Sequence, residues 1–329
     1  MSRIVRFHEH GGPEVLKIEE LATPSPGPGE VTLQVKAIGL NRAESMFRTG
    51  LYIESPQFPA RLGYEAAGVV AALGSDVNGL SIGDAVSLVP PPSITRWGTY
   101  GEVANVPAQY LVKHPASLSW PQAAAIWMQY VTAWGALVDL AQLAPNDTVI
   151  VTAASSSVGI AAIQMAKMIG ATVIATTRTR AKRDALRAAG AHHVVATQEE
   201  DLVERVREIT NGAGARVAFD AVAGPQFEHI AQALSADSVA LVYGALSPEP
   251  TPMPLFPMLG KRISVHGYTY KRVIGDSDRF ARAKRFIVDA LRSGELEPVI
   301  DKIFTFDHIV DAHRYLESNQ QFGKIVVTL

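Results

Sequence analysis

Residues 148–177 read TVIVTAASSSVGIAAIQMAKMIGATVIATT, and this stretch decides the fold. Two continuously apolar, β-branched runs, TVIVTA and TVIATT, flank SVGIAAIQMAKMIG, whose apolar positions recur at helical spacing. Strands apolar on both faces suit a parallel sheet covered by helices on each side. Strand, small-residue turn, helix and second strand together make a βαβ unit. The alternation continues downstream through AKRDALRAAG, HHVVA, EDLVERVREIT, ARVAFDAV, FEHIAQAL, SVALVYGA and RISVHGY. Six strands with short connections predict a doubly wound α/β domain.

Working outward, SWPQAAAIWMQYVTAWGALVDL opens on Ser119 as an N-cap with Pro just inside, and its apolar face predicts one long helix. Before it the texture differs. VLKIEEL, VTLQVKAIGL, AGVVAALG, DAVSLVP and GTYGEVANVP read as short strands between Gly- and Pro-rich turns. Between them run two long irregular loops, Asn41 to Leu62 and Val89 to Thr99, of a length that points to function. After Tyr268 come a charged helix from about Asp276 to Ser293, a shorter one near His308 to Glu317, and a strand GKIVVTL expected to pair back into the first domain. The expected domains are residues 1–120 with 266–329, and 121–265.

The chain has 329 residues, room for two domains and an ample core. A net charge of -2 supplies no global field for nucleic acid or an anionic membrane. With no cysteine, disulfides and thiolate zinc sites are excluded. The start of the chain has no signal-peptide core, and the longest apolar region, Gly159 to Thr177, is broken by Gln164, Lys167 and Gly170. A cytoplasmic location is the resulting expectation, with no membrane or nucleic-acid partner.

The turn after the first strand of the α/β domain is Ala153-Ala154-Ser155-Ser156-Ser157-Val158-Gly159. The dinucleotide fingerprint places glycines at the positions of Ala154, Ser156 and Gly159, and only the last is glycine here. Small residues still let backbone approach a pyrophosphate at the helix N-terminus, so Ser156, Ser157, Val158 and Gly159 are the candidate contacts. A tight packing turn in a fold that binds no nucleotide would read the same way. The end of the second strand adds Thr176-Thr177-Arg178, then Arg180, Lys182 and Arg183, with no acid before Asp184. An NAD site would place an acid there. Cations suit a 2′-phosphate, with Arg178 and Lys182 as the contacts and Arg180 and Arg183 as a solvated face.

These pieces resemble the medium-chain dehydrogenase/reductase superfamily, in its zinc-free, quinone oxidoreductase-like branch, over essentially the whole chain. AIGLNRAESMFRTGLY, LGYEAAGVVAALGSDV, IGDAV, MQYVTAWGAL, LRAAGAHHVV, YGALS, SGELEPVI and FGKIVV fit its segments in order. The resemblance implies a GroES-like β-rich catalytic domain plus a doubly wound, parallel-sheet Rossmann domain that binds NADP(H). Lys182 falls where such enzymes place a lysine on the 2′-phosphate, whereas Thr197 replaces a tyrosine often found there, leaving dual use of NADH open. Thr132, Tyr243 and Gly244 are further cofactor candidates, and Phe322 and Lys324 are expected to close over the cofactor. In zinc-dependent members a Cys and a His-Glu pair hold the metal. Their positions are Asn41 and Tyr64-Glu65 here, and neither Asn nor Tyr is a ligand zinc selects, so no metal is expected.

An enzyme without a Lewis acid is suited to acceptors that already take hydride, namely quinones and α,β-unsaturated carbonyls. The resemblance gives Asn41, Tyr52 and Tyr64 as catalytic candidates, with Asn41 also near the nicotinamide. Their structural alternatives are a capping Asn41, a packed Tyr52 and a core Tyr64. Glu65 reads as a structural carboxylate bonded to nearby backbone, and Trp127, Met128, Gln129 and Tyr130 as pocket lining or plain core. A 2-enoyl-thioester reductase is the alternative enzyme; its acyl carrier needs a basic patch built from Arg42, Arg48, Arg61 and Arg96. A non-catalytic NADPH-binding protein is the alternative outside enzymes. Family analogy adds a homodimer or homotetramer, paired through the edge strand RISVHGY.

Overall fold

Eight strands fill the first part of the chain: β1 (Ser2–Phe7), β2 (Lys17–Leu21), β3 (Glu30–Gly39), β4 (Ala60–Arg61), β5 (Glu65–Leu73), β6 (Ala85–Leu88), β7 (Val103–Pro107) and β8 (Leu111–Lys113). Six more follow: β9 (Thr148–Val151), β10 (Thr172–Thr177), β11 (His193–Ala196), β12 (Ala215–Asp220), β13 (Leu234–Val242) and β14 (Ser264–Gly267). The chain ends with β15 (Ile300–Thr305) and β16 (Lys324–Thr328). The computed structural model describes residues 1–329 and separates into two units, Met1–Met128 with Pro298–Leu329, and Gln129–Glu297.

In the first unit β3 is the organising strand. It pairs antiparallel with β5, β7 and β16, within a sheet of order β15-β16-β3-β5-β6-β8. β16 returns to β3 as the sequence suggests, in the register Val326 against Gly39 and Val327 against Ile38. A smaller sheet, β2-β1-β4, completes the unit. Ala37, Ala67, Ala123, Ala124 and Ala125 bring the helical turn Trp120–Ala123 close onto the sheet. Gly39 carries this approach to its limit, because a Cβ there would sit 2.1 Å from the Ala124 carbonyl oxygen.

The second unit is the doubly wound sheet, all parallel, in the order β11-β10-β9-β12-β13-β14. Ile150, Ile174, Val195, Phe227, Ile230 and Leu234 are among its buried core, each stabilising the fold by about 1.5–3 kcal/mol. The connections reverse direction between β9 and β12, so the ligand crevice of such a sheet lies at the carboxyl ends of those strands. β14 is an edge strand with all four residues exposed. No helix is long and apolar enough to cross a membrane.

Two sequence expectations are corrected. The division between units falls at Met128 and Pro298, not at residues 120 and 266. The segment after β14 stays in the second unit because its side chains are tied there. Asp139 takes Arg272, Arg279 and Arg282 at 3.1, 2.8 and 3.2 Å, and Gly135 leaves room for Tyr268 and Val273, whose atoms lie 2.2 and 2.3 Å from where a Cβ would stand. The expected long helix from Ser119 is three pieces: Trp120–Ala123, Trp127–Trp134 and a π-helical turn at Gly135–Leu140. The first break occurs because the Glu65 carboxylate accepts the N–H groups of Trp127 and Met128, restarting the helix on an anion.

Candidate active site

The second unit holds a small-residue turn with the build of a phosphate cradle. β9 ends at Val151, and the helix Ser157–Ile169 begins after Ser156, whose Oγ accepts the Gly159 N–H at 3.1 Å. Gly159 is required by the close approach of backbone, since a Cβ would lie 2.7 Å from Ala153 and Ala154 atoms. Ala153 takes a left-handed φ of 45°, a conformation that costs a non-glycine residue about 1–2 kcal/mol. Local strain of this kind is characteristic of ligand loops. The first turn of the helix, at Ser157 and Val158, therefore opens onto the carboxyl edge of β9 with N–H groups available to an anion.

The cation block after β10 sorts itself. Arg180 is held by Glu199 at 2.9 Å, and Arg183 pairs with Glu200. Arg178 is exposed at the strand end. Lys182 reaches back, and its Nζ donates to Ser155 Oγ of the phosphate loop at 3.2 Å. An ammonium therefore stands over the turn where the adenosine end of a dinucleotide belongs. Thr197 bonds the Thr177 carbonyl at 3.3 Å.

Tyr243, just past β13, is half-buried with its hydroxyl enclosed, and it is stacked on Phe219 with centroids 4.0 Å apart. Its hydroxyl lies beside Ser156 without completing a hydrogen bond of good geometry. Burial, and the neighbouring Asp220, hold it firmly protonated. A buried donor with this orientation at the carboxyl edge fits a ligand acceptor. The turn, lined by Ser156, Ser157, Val158 and Gly159 with Lys182 and Tyr243 beside it, can thus hold a dinucleotide. Gly244 serves packing, because a Cβ would stand 2.7 Å from the Ala221 carbonyl oxygen. Thr132 is buried in the helix Trp127–Trp134.

Asp220 was not singled out in the sequence, although a lone acid in the apolar run ARVAFDAV is a visible signal. It is buried at the end of β12 and accepts Thr152 Oγ1 at 2.6 Å and the N–H groups of Val222 and Ala223 at 2.9 and 3.0 Å. Burial raises its pKa, and these three donors counter the shift. Through Thr152 it locks the ends of β9 and β12 together at the switch point.

The first unit holds a polar cluster that is almost entirely buried. Asn41 is the N-cap of the helix Arg42–Arg48, and the Glu44 carboxylate accepts its N–H at 2.8 Å. Glu44 also accepts the Tyr64 N–H at 3.0 Å and the Tyr100 hydroxyl at 2.6 Å. Burial pushes its carboxyl pKa up, with those donors opposing the rise. Tyr100 gives its proton to Glu44, so the 3.1 Å contact between Tyr100 Oη and His313 Nε2 assigns the imidazole N–H to Nε2. Burial drives the pKa of His313 down to about 3, so it is neutral in the fold.

Lys324 is placed differently from its expected role over the cofactor. Its ammonium is buried, donating to Glu65 Oε2 at 2.6 Å and to Asn41 Oδ1 at 2.7 Å. The Asn41 amide is therefore engaged at both ends, since its Nδ2 donates to the Gly39 carbonyl at 3.1 Å. It works as an internal strut, which fits its capping reading better than a role on nicotinamide or substrate. Glu65 is the structural carboxylate its surroundings require. Oε1 accepts the Trp127 and Met128 N–H groups at 2.6 and 3.1 Å, while Oε2 takes the ammonium. Phe322 is half-buried beside this strand.

The two tyrosines meet. Tyr64, fully buried, donates its hydroxyl to Tyr52 Oη at 3.2 Å, with the rings edge-on. Tyr52 is half-buried on the loop after Gly50, and burial raises its pKa while the bond from Tyr64 opposes this. Two residues on, Glu54 accepts Ser93 Oγ and the Thr95 N–H, the latter at 3.1 Å. The two long loops are thereby joined to one another. Leu51 and Ile53, on either side of Tyr52, are 75% and 70% exposed.

The arginines proposed for an acyl-carrier patch are engaged within the chain, Arg42 and Arg48 both beside Glu317. Arg42 bonds the Leu316 carbonyl and Asn319, buried Arg48 pairs with Glu317, Arg61 bonds the Val103 carbonyl, and Arg96 stacks on Trp97.

Comparison with known proteins places both units. Residues 27–116 match the alcohol dehydrogenase GroES-like domain, and residues 157–289 match the zinc-binding dehydrogenase domain. The chain is 36% identical over 244 residues to quinone oxidoreductase 1 of Escherichia coli, covering 74% of this chain and 73% of that one. It is 30% identical over 329 residues to a 2-haloacrylate reductase of a Burkholderia species, covering 98% and 97%. The structure of Escherichia coli quinone oxidoreductase complexed with NADPH superposes with a TM-score of 0.91 at 30% identity, over the full length of both chains.

Proposed function

Because this chain belongs to the medium-chain dehydrogenase/reductase superfamily, in its quinone oxidoreductase-like branch, we propose that it is a zinc-independent, NADPH-dependent reductase of quinones or α,β-unsaturated carbonyls. The observation that carries the cofactor choice is the Lys182 ammonium bonded to Ser155 over the phosphate loop, a cation where an NAD-selective site would have an acid. NADPH in the superposed Escherichia coli structure supports the same choice.

Bound in this cradle, the dinucleotide supplies a hydride. The chain's residues do the rest. Amides at the start of the helix Ser157–Ile169 and the Tyr243 hydroxyl hold the pyrophosphate region, and Lys182 with Arg178 holds the 2′-phosphate. Tyr52 supplies the proton that the reduced acceptor needs, or stabilises its developing oxyanion by a hydrogen bond. Zinc-independence rests on residue chemistry. Where metal-dependent members carry ligands this chain has an asparagine tied to Lys324 and a tyrosine tied to Tyr52.

The acceptor class is supported by the similarity to a quinone oxidoreductase and a 2-haloacrylate reductase. A carrier-bound enoyl thioester is less favoured, because the four arginines it needs are each engaged with partners within the chain. The same proposal includes a homodimer. β14 offers a bare strand edge, and beside it in sequence Met253, Leu255, Phe256 and Leu259 are exposed, an apolar surface that a single chain rarely leaves uncovered. Steady-state loss of NADPH absorbance tests the function after chelation, against a small quinone and a conjugated enone. Turnover with either supports it, and NADPH binding with no turnover of either rejects it.

A further inference from the structure

We infer that Tyr64 is a positioning residue for proton delivery, its buried hydroxyl holding the Tyr52 oxygen and stabilising the phenolate that Tyr52 becomes on giving up its proton. The inference rests on the reductase reading above and adds a part to it. Three observations support it.

Tyr64 donates and Tyr52 accepts, at 3.2 Å. The proton of Tyr52 is thus left for another acceptor, and the bond from Tyr64 strengthens once the oxygen it faces is charged. Tyr64 is also rigid. Its own N–H is held by Glu44 at 3.0 Å, and the next residue, Glu65, is fixed by two backbone N–H groups and the Lys324 ammonium. Tyr52, by contrast, is half-buried on a loop pinned by Glu54 and flanked by exposed Leu51 and Ile53, so it alone of the pair can meet an acceptor.

The step balances as follows. Hydride from the dinucleotide reduces the quinone carbonyl or the enone β-carbon. The Tyr52 Oη–H bond breaks as an O–H bond forms on the quinone oxygen, or a C–H or O–H bond on the enolate. The resulting Tyr52 phenolate accepts the Tyr64 hydrogen bond until solvent returns a proton to Tyr52. Net consumption is one hydride and one solvent proton per acceptor.

The test compares Tyr52→Phe, Tyr64→Phe and the double variant, with turnover measured across quinones whose hydroquinones are increasingly acidic and with one conjugated enone. Tyr52→Phe is expected to lose about 10²–10⁴-fold in kcat with the enone, the usual size of a general-acid contribution. Tyr64→Phe is expected to lose about 10–100-fold, the size of a hydrogen bond to a charged group. Its loss should shrink as the hydroquinone becomes more acidic and vanish in the Tyr52→Phe background, neither of which a merely structural role produces. A Tyr64→Phe loss that is equal across acceptors, or that persists in the Tyr52→Phe background, overturns the inference. So does full activity in Tyr52→Phe, which leaves the reductase reading standing. Absence of turnover in the unaltered protein is the separate result that removes that reading.

Discussion

Replacing Lys324 by methionine tests how far the buried cluster of the first unit holds the fold together. Lys324 and Glu65 both have fully buried side chains, and their charges are 2.6 Å apart. At an effective dielectric of about 20, that separation corresponds to roughly 6 kcal/mol of attraction, much of it offset by taking both ions out of water. Methionine fills nearly the same volume, so the change removes the charge and little packing. What is left is a buried Glu65 carboxylate facing Asn41 Oδ1 with no cation between them, still bonded to the Trp127 and Met128 N–H groups. Breaking one side of such a pair costs about 3–5 kcal/mol. The chain has two units and need not unfold in one step, so the assay is urea denaturation read by both circular dichroism and fluorescence. Lys324→Met, Glu65→Gln and the double variant are each compared with the unaltered protein. The double variant should be less destabilised than the two single losses added together, by about 2 kcal/mol or more, because removing both charges leaves no orphan. A Lys324→Met cost below about 1 kcal/mol, the range of exposed ion pairs, with strictly additive losses, would refute the reasoning.

Other expectations follow from the same structure. His313 is neutral in the fold with a pKa of about 3, against 6.5 when unfolded, so the unfolded chain binds its proton first as pH falls. Stability should drop from about pH 6.5 downward, by at most about 1.4 kcal/mol per pH unit from this group. The raised carboxyl of Glu44 acts in the opposite sense, so the measurement is the difference in denaturation midpoint between the unaltered protein and His313→Gln, which should flatten the acid limb. Lys182→Met should weaken NADPH about 10–100-fold by titration calorimetry while leaving NADH nearly unchanged; equal losses for both would show that Lys182 does not read the 2′-phosphate. Gly39→Ala places a Cβ 2.1 Å from the Ala124 carbonyl oxygen and 2.7 Å from Lys324 Cε, so it should cost about 1–3 kcal/mol or more in thermal unfolding. A neutral Gly39→Ala would show that the helical turn does not press on the sheet as described.

The nucleotide unit was legible in the sequence because its signals are local. TVIVTA, SVGIAAIQMAKMIG and TVIATT each carry their own period, and β9, the following helix and β10 fall within them. Arg180 and Arg183, read from position as a solvated face, are tied to Glu199 and Glu200, while Arg178 and Lys182 stand as the proposed 2′-phosphate contacts. The strands β1, β4, β8 and β15 were not legible. β4 has two residues, β8 three, and SRIVRF and IDKIFT mix charge with apolar residues in a way that resembles surface loop. The break in the helix after Ala123 also escaped, because its cause is Glu65, distant in sequence. The same holds for the buried cluster. Asn41, Glu65 and Lys324 could each be noticed alone, but only the pairing of β3 with both β5 and β16 brings them together. That pairing turns a lysine expected at the cofactor into the counterion of a buried glutamate.

The most direct test of the central claim follows an isotope. Chelator-treated protein is supplied with NADPH carrying deuterium at the transferable C4 position, together with a conjugated enone, and the product is examined by mass spectrometry and NMR. Metal-free hydride transfer predicts one deuterium on the β-carbon of the saturated product, with the α-hydrogen drawn from solvent. Saturated product without that label, or turnover that disappears on chelation and returns with zinc, would contradict the account.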